Sequence, residues 1–222
     1  MEYERKVIET ADGSKTLFVP AMNEQYHSLN GALTESDYVF LEKGFRHHPS
    51  QTPKVFEVGF GTGLNALLTA LEAEKSMRTT YYATIEKYPI SNEEIQYLNY
   101  GNLLSPRANE IFHAIHKADW EKDVQISEFF VLNKIKADLK TCTFRNDNFF
   151  DLVFFDAFGP DKQPEMWQDK VMSKIFQLCS GGAIFVTYSA KGEIRRRMEA
   201  SGFRMERLPG PPGKRQMLRG SK

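Results

Sequence analysis

The sequence predicts an α/β protein built on a mostly parallel, twisted sheet of seven strands with helices on both faces. From residue 54 onward, short apolar runs alternate with amphipathic segments, which is the pattern of successive strand–helix units. The runs, such as FFDLVFFD, are too apolar to have one face in water, as expected for strands buried between two helical layers. A glycine-rich stretch joins the first of these strands to the first helix. Sheets of this kind bind ligands beyond the C-terminal ends of their strands.

We divide the chain into an N-terminal extension, 1–50, and a main domain, 51–222. The extension begins with a predicted β-hairpin, RKVIET and KTLFV, around the turn sequence ADGS. A helix is predicted over 35–43, because Thr34 and Asp37 have the spacing of a capping box before an apolar run.

The main domain contains seven predicted strands and five predicted helices. The strands are KVFEV, TTYYATI, EFFVLNKI, FFDLVFFD, AIFVTY, FRMERL and QMLRG. The helices are LNALLTALEAEK, SNEEIQYLNY, SPRANEIFHAIH, PEMWQDKVMSKIFQLC and GEIRRRMEAS. Ser91 and Glu94 form a capping box at the start of the second helix, Gly181-Gly182 is expected to close the fourth, and Gly202 the fifth.

Charge is balanced over the whole chain, with 29 basic and 29 acidic residues, but it is unevenly distributed. Residues 190–222 carry ten basic and three acidic side chains. This asymmetry favours a polyanionic partner. The alternative is a solvated cationic face.

The sequence predicts a cytoplasmic protein that does not enter a membrane. It has no signal-peptide pattern and no apolar run of 18 residues. Cys142 and Cys179 lack metal-ligand spacing and are expected to be reduced thiols. His113 and His116 have no acid or cysteine at helpful spacing, so no metal site is predicted.

The stretch FEVGFGTGLN is predicted to bind a nucleotide-containing cofactor. Gly59, Gly61 and Gly63 let the backbone turn tightly beside a helix N-terminus, and Glu86, after the second strand, suits ribose hydroxyls. From Gly61 onward the segment fits a dinucleotide fingerprint. From Glu57 onward it is E-x-G-x-G-x-G, typical of S-adenosylmethionine (SAM) methyltransferases. The acid before the glycines suits a ligand with an amino-acid end and a sulfonium charge, so we favour SAM over NAD.

Two further acids follow strands at the same predicted edge of the sheet. Asp138 comes after the third strand, where such folds recognise adenine, although a solvated loop carboxylate is the alternative. Asp156 ends the fourth strand in FFDLVFFDAFGPDKQPEMW. An aspartate there could simply form the turn or cap the next helix, but the fold places it beside the expected ligand.

The segments FEVGFGTGLN, IEKYP, DAFGPDKQPEMW and GPPGKRQML together resemble the methyltransferase family of the tRNA wobble-modifying enzymes MnmC and MnmD. The resemblance extends from HSLNGALTESDYVFL to the end of the chain. It implies a Rossmann-like class I SAM-dependent methyltransferase. The implied reaction is methyl transfer to the exocyclic amine of 5-aminomethyl-(2-thio)uridine at tRNA position 34. The FAD-dependent oxidase domain of the bifunctional members is not expected in this chain, and no flavin is implied.

The resemblance also assigns site residues. Asp156 would face the acceptor amine as the catalytic residue and also contact the cofactor. The other implied cofactor contacts are Glu57, Gly59, Phe60, Gly61, Gly63, Asn65, Glu86, Lys87, Asp138 and Leu139. Expected contacts with the anticodon loop are Phe158, Trp167, Ser189, Lys191, Arg195, Arg196, Lys214 and Arg215.

The expected roles of the tRNA contacts differ. Phe158 and Trp167 are candidates to stack on the uracil, with core packing as the alternative. Ser189, with Thr187 and Tyr188, is a candidate for the acceptor pocket or a plain strand terminus. The basic residues are candidates for phosphate contacts.

Chemistry and composition leave several alternatives open. Since an ordinary aspartate has a pKa of about 4, we expect Asp156 to orient the amine and stabilise the developing charge, unless burial raises that pKa and makes it a general base.

A spermidine synthase-like aminopropyltransferase is the nearest rival, although such enzymes usually carry Asp where this chain has Thr62. A non-catalytic RNA-binding protein with a SAM fold and an NAD-dependent reductase are further alternatives, and the reductase lacks a Tyr-x-x-x-Lys motif.

Overall fold

The computed structural model describes residues 4–144 and 147–222. The strands are β1 Lys6–Glu9, β2 Lys15–Val19, β3 Glu24–Gln25, β4 Lys54–Val58, β5 Thr80–Glu86, β6 Asp123–Ser127, β7 Phe130–Lys136, β8 Phe150–Phe155, β9 Cys179–Thr187, β10 Arg204–Pro209 and β11 Gln216–Ser221. The α-helices are α1 Ala32–Ser36, α2 Leu64–Ser76, α3 Asn92–Tyr97, α4 Tyr100–Leu104, α5 Pro106–Lys117, α6 Asp169–Leu178 and α7 Gly192–Ala200.

The main sheet has the strand order β10-β11-β9-β8-β4-β5-β7-β6. The central strands β9, β8, β4, β5 and β7 are parallel, and their side chains are largely buried, as the apolar runs predict. From β4 the chain proceeds toward β5 on one side, whereas β8 and β9 extend the sheet on the other. The C-terminal ends of β4 and β8 therefore form a topological switch point, where such sheets bind ligands.

The predicted fold class is confirmed, but the sheet has eight strands instead of the expected seven. The additional strand, β6, pairs antiparallel with β7 at the sheet edge. Its sequence, DVQIS, is short and alternates exposed with partly buried residues. An edge strand needs little apolar character, and for that reason this segment does not stand out in the sequence.

The predicted helices need three corrections. The fourth is split, because Gln168 has an extended backbone between a 3₁₀ turn at Pro164–Trp167 and α6. Gly181-Gly182 lies within β9 and does not close that helix. The short helix α4 was not predicted as a separate element.

The N-terminal extension forms the predicted hairpin, but its helix starts differently from the expectation. β1, β2 and β3 make a small antiparallel sheet. The helix begins at Ala32 and passes at Asp37 into a π-helix that runs to Phe45. The predicted capping box is absent there, and the N–H of Thr34 instead donates to Asp12 Oδ2 in the hairpin turn, 3.1 Å away. A tertiary contact thus replaces the local cap.

Two apolar cores cover the two faces of the main sheet. One face packs against α2, α4, α5 and the helix at 32–45, and the other against α6 and α7. Within 4–144 and 147–222, none of the helices combines the length and the apolar character that a membrane span requires.

Candidate active site

A cavity of about 400 Å³ opens at the C-terminal ends of the parallel strands, within the usual size of small-molecule sites. Its wall includes many of the residues that the sequence singles out. These are Gly59, Phe60, Gly61, Asn65, Glu86, Lys87, Asp138, Leu139, Asp156, Phe158 and Lys214. Among the described residues no group of three or more His, Cys, Asp or Glu side chains forms a candidate metal site.

The glycine loop after β4 is pressed against the end of β8. Gly59 has a φ of +91°, and a Cβ there would lie 2.7 Å from the carbonyl oxygen of Asp156. The Asp156 N–H also donates to Val58 O at 2.9 Å. Only glycine allows this approach, which brings the cofactor loop and the predicted catalytic acid side by side.

The glycine loop is supported by His116, a residue for which the sequence predicted no role at the cofactor site. His116 Nε2 lies 3.1 Å from the carbonyl oxygen of Thr62, and the His116 ring packs against Phe60. Burial lowers the pKa of His116 to about 4, so the ring is neutral. Gly63 lies outside the cavity wall, where its positive φ lets the chain turn into α2. The predicted direct contact of Gly63 with the cofactor is therefore not supported, since its role here is to shape the loop.

Glu86 and Asp138 are both in the cavity wall, at the ends of β5 and β7. Glu86 accepts hydrogen bonds from the N–H groups of Gly61, at 3.1 Å, and Tyr88, at 2.8 Å. Asp138 accepts from Lys87 Nζ at 3.0 Å and from the Lys140 N–H at 2.9 Å. Each carboxylate is thus fixed in place and has lone pairs left for hydroxyl or amino donors. The open glycine backbone and the two anchored acids fit SAM.

Glu57 lies beneath this site, not in its wall. Its side chain is fully buried and faces Thr84, Tyr82 and Asn65. Burial raises the pKa of Glu57 to about 8, so its carboxyl carries a proton at neutral pH. The expected direct contact with the cofactor is not supported, because residue 57 points into the sheet interior from its central strand.

Asp156 follows β8 at the junction of the cofactor and acceptor sides of the cavity. Asn65 Nδ2 donates to Asp156 Oδ2 at 2.8 Å. Burial, together with the nearby carboxylate of Glu35, raises the pKa of Asp156 to about 7. The sequence predicted where this acid would lie, whereas its altered acidity depends on the tertiary surroundings.

The acceptor side is closed by an ion pair between the two ends of the chain. Lys214 Nζ pairs with Glu35 Oε1 and lies 3.9 Å from the centre of the Tyr188 ring. Glu35 Oε2 also accepts from the Ser28 N–H at 2.9 Å. Lys214 is thus held in the cavity wall by Glu35, and its expected phosphate contact remains a prediction.

The two aromatic residues predicted to frame the base are in different places. Phe158 lines the cavity and packs edge-on against Tyr26, with ring centroids 5.2 Å apart. Trp167 is fully buried, packs against Phe155, and donates from Nε1 to Phe158 O at 2.8 Å. The prediction that Trp167 contacts the base is wrong, since this indole supports the Phe158 loop from the protein interior.

Of the three residues at the end of β9 that are candidates for the acceptor pocket, Tyr188 lies in the cavity wall. Ser189 is buried and does not reach the cavity, whereas Tyr188 lines it and donates to Ala157 O at 2.9 Å. Tyr188 and Ser189 both follow the end of β9, and of these two it is Tyr188 that contributes to the cavity.

The predicted basic contacts divide into paired and unpaired side chains. Lys191 pairs with Asp161, and Arg195 pairs with Glu199 at 3.3 Å. Arg196 and Arg215 are exposed and form no ion pair within the described parts of the chain. The two paired residues remain predicted phosphate contacts, although each would first have to leave its acid.

The N-terminal extension contributes a wall of the cavity. Tyr26, His27 and Ser28 line the site, as does Arg5. Arg5 Nη2 donates to Tyr88 O at 2.8 Å, and Nη1 pairs with Glu94 at 3.1 Å. His27 and Ser28 open the segment HSLNGALTESDYVFL, where the family resemblance begins, whereas Arg5 and Tyr26 precede that segment.

The fold and the site together are those of SAM-dependent enzymes: a parallel sheet, a glycine loop at its switch point, and two anchored acids, Glu86 and Asp138, in the cavity wall. Residues 107–222 match the family described as S-adenosyl-L-methionine-dependent methyltransferase. The chain belongs to that family and is a SAM-dependent methyltransferase.

Similar proteins agree with the resemblance predicted from the motifs. The chain is 28% identical over 211 residues to the tRNA 5-methylaminomethyl-2-thiouridine biosynthesis bifunctional protein MnmC of Campylobacter hominis, covering 91% of this chain and 31% of that protein. It is 29% identical over 217 residues to MnmC of Aromatoleum aromaticum, covering 90% of this chain and 33% of that protein. The chain thus spans about a third of the length of these relatives.

Two solved structures share the fold. MNMC2 from Aquifex aeolicus has a TM-score of 0.79 and 25% identity, covering 99% of this chain and 71% of that one. Spermidine synthase from Thermotoga maritima has a TM-score of 0.60 and 10% identity, covering 99% of this chain and 69% of that one. The resemblance to the MnmC and MnmD methyltransferases is confirmed, whereas the likeness to spermidine synthase extends only to the fold.

Proposed function

We propose that this enzyme transfers a methyl group from SAM to the exocyclic amine of 5-aminomethyl-(2-thio)uridine at tRNA position 34, acting in the cytoplasm. The product is the 5-methylaminomethyl nucleoside. The observation that carries the proposal is the position of Asp156, a cavity-wall residue whose backbone meets the glycine loop and whose carboxylate is held by Asn65. The names of the similar MnmC proteins support this choice of substrate.

An alkylamine in water is mostly protonated at neutral pH, and it must lose that proton before its lone pair can react. With a pKa of about 7, Asp156 is partly ionised at neutral pH and can take up this proton, which an ordinary aspartate does poorly. When bound, SAM supplies a methyl group on a positively charged sulfur. We therefore assign Asp156 as both orienting group and general base.

Asn65 keeps Asp156 in position for this role. Its amide donates to Oδ2 at 2.8 Å, which leaves Oδ1 for the amine. As the new N–C bond forms and the methyl–sulfur bond breaks, nitrogen becomes more positive. Once the proton taken from the substrate ammonium has passed from Asp156 to solvent, the ionised carboxylate stabilises that charge.

The pocket beside Asp156 offers aromatic surface for a flipped-out base. Phe158 and Tyr26 meet edge-on in the cavity wall, and unpaired RNA bases are commonly recognised by stacking on such rings. Tyr188 adds a third ring beneath Lys214. We assign Phe158 and Tyr26 to recognition of the uracil.

Nucleoside analysis tests the proposal directly. tRNA that carries 5-aminomethyluridine at the wobble position is incubated with the protein and methyl-labelled SAM, then digested and separated. We expect label in the 5-methylaminomethyl nucleoside only. Decarboxylated SAM and putrescine are offered in a parallel reaction. Formation of spermidine there, with no label in RNA, would replace the proposal by the aminopropyltransferase alternative.

A further inference from the structure

Two arginines that make no ion pair converge on one glycine beside the active-site rim. A Cβ on Gly192 would lie 3.3 Å from Arg196 Nη1 and 3.5 Å from Arg207 Nη2. Both guanidinium groups therefore reach the same point on the surface. Arg196 and Arg207 are exposed, and neither forms an ion pair or a side-chain hydrogen bond with any residue in 4–144 or 147–222.

The local structure explains why the two side chains meet. Arg196 is four residues beyond Gly192 in α7, and helical side chains lean toward the N-terminus of their helix. Arg207 projects from β10 on the same side as Met205, which packs into the core around α7. Because Gly192 has no side chain, both guanidinium groups can approach its Cα from these two elements.

The neighbouring cations differ from this pair, because acids neutralise them. Lys191 pairs with Asp161, Arg195 with Glu199, and Arg197 with Asp169. The fold thus supplies acids for three basic residues around α7 and none for the two that face each other. Two like charges held together repel, and an anion bound between them would remove that cost.

The pair is next to the acceptor side of the cavity. Gly192 is four residues after Tyr188, which lines the cavity. Lys191, directly before Gly192, pairs with Asp161 in the loop that also carries Phe158. A polyanion that delivers one group into the cavity would therefore pass this point.

We propose that Arg196 and Arg207 form a clamp for a backbone phosphate of the acceptor RNA, close to the nucleotide that enters the cavity. Guanidinium groups present fixed N–H donors that match phosphate oxygens, and phosphate contacts fix the register of nucleic acid on a protein. The choice of RNA as the occupant rests on the proposed function. The clamp excludes Lys191, Arg195 and Lys214, which acids already hold.

RNA binding and its salt dependence test the clamp. Arg196→Ala, Arg207→Ala and the double variant are compared with wild type by fluorescence anisotropy, using a labelled anticodon stem-loop RNA. For the double variant we expect the Kd to rise about tenfold at low salt, and the slope of log Kd against log salt to fall by about 1. The Kd for SAM, measured by calorimetry, should not change, since neither arginine lines the cavity.

Arg204 provides a matched control on the same strand. It is exposed and forms no ion pair with any described residue, but it lies three residues before Arg207 and therefore on the opposite face of β10. Arg204→Ala removes the same charge and should leave RNA binding within about twofold of wild type, since only distant screened charge is lost. If Arg204→Ala and Arg207→Ala lose RNA affinity equally, the clamp is wrong, and the RNA is attracted by the overall positive charge of this surface instead.

The outcomes separate the clamp from the methylation reaction. If wild type labels the wobble nucleoside but the double variant binds the stem-loop as tightly as wild type, the clamp is wrong and the proposed function stands. If wild type labels no RNA but the double variant loses RNA affinity, the clamp stands and the proposed substrate is wrong. Displacement of the RNA by poly-L-glutamate at equal charge concentration would point to an acidic protein partner and overturn the RNA clamp.

Discussion

The cofactor side and the acceptor side of the cavity are built in different ways. The cofactor side is dominated by one continuous stretch, from β4 through the glycine loop to Glu86 at the end of β5. The acceptor side brings together Tyr26, Glu35, Asp156, Tyr188 and Lys214, and its ion pair joins residues 179 positions apart. A local motif thus defines the cofactor side, whereas the acceptor side exists only once the two ends of the chain have docked.

Replacing the residue that joins the two sides should have the largest effect. For Asp156→Asn we expect the rate of methyl transfer to fall by about 10²–10⁴-fold, the usual contribution of a positioned base. SAM affinity should stay within about threefold, since asparagine is isosteric and the glycine loop is untouched. Rapid-quench single-turnover assays and calorimetry measure the two quantities.

The pH dependence of the same rate sharpens this assignment. Because a base acts in its ionised form, the wild-type rate should fall as pH drops below about 7, the pKa of Asp156. Asp161→Asn, in the same loop, should keep both the wild-type rate and its decrease below about pH 7. A wild-type rate that stays level from pH 8 to pH 5 would leave Asp156 only an orienting role.

A methyl group at the contact between the two sides should impair both of them. In Gly59→Ala the added Cβ would meet Asp156 O at 2.7 Å with a φ of +91°, and such strain costs about 1–3 kcal/mol. We expect the Kd for SAM to rise at least about tenfold and turnover to drop with it. Gly181→Ala is the control, because a Cβ there meets nothing within 4 Å. Equal behaviour of the two variants would show that the close approach is not needed.

The buried acid below the cofactor side should affect stability and its pH dependence. Glu57 has a folded pKa of about 8 against an ordinary value of 4.5. The favourable contribution of Glu57 to the free energy of unfolding is complete below its pKa in the unfolded state. This contribution is lost as pH rises through its pKa in the folded state. In Glu57→Gln the free energy of unfolding should therefore exceed that of wild type at pH 8 by about 4 kcal/mol and match it near pH 4.5.

Urea unfolding of both proteins at the two pH values measures this difference. Since Asp156 contributes with the same sign, some pH dependence should remain in Glu57→Gln. An unfolding free energy that is lower than wild type at both pH values would mean that the carboxyl group makes a specific stabilising contact instead.

The ion pair on the acceptor side should give the smallest effect. The side chains of Glu35 and Lys214 are 10% and 31% exposed, so solvent screens the interaction only in part. A double-mutant cycle with Glu35→Gln and Lys214→Met should give a coupling free energy of about 1 kcal/mol. Additive effects in thermal unfolding would show that the pair does not join the two ends of the chain.

The accuracy of the sequence analysis follows the same division. The strand, glycine loop and helix from Lys54 to Ser76 and the acid Glu86 lie as predicted, because their pattern depends on neighbours in the sequence. The errors occur where a side chain's direction or partner decides its role. Trp167 packs inward, Ser189 is buried outside the cavity, and Glu57 is buried below it.

The sequence by itself determined the parallel α/β fold, the position of the cofactor loop and the placement of Asp156 at the ligand edge, because hydrophobic periodicity and backbone requirements are local properties. Only the tertiary structure decided that Asp156 has a raised pKa and that Glu57 is buried below the cavity. It also decided that Arg196 and Arg207, which form no ion pair with the described residues, meet at Gly192. Burial and charge pairing depend on residues far apart in the chain, so these properties appear only after folding.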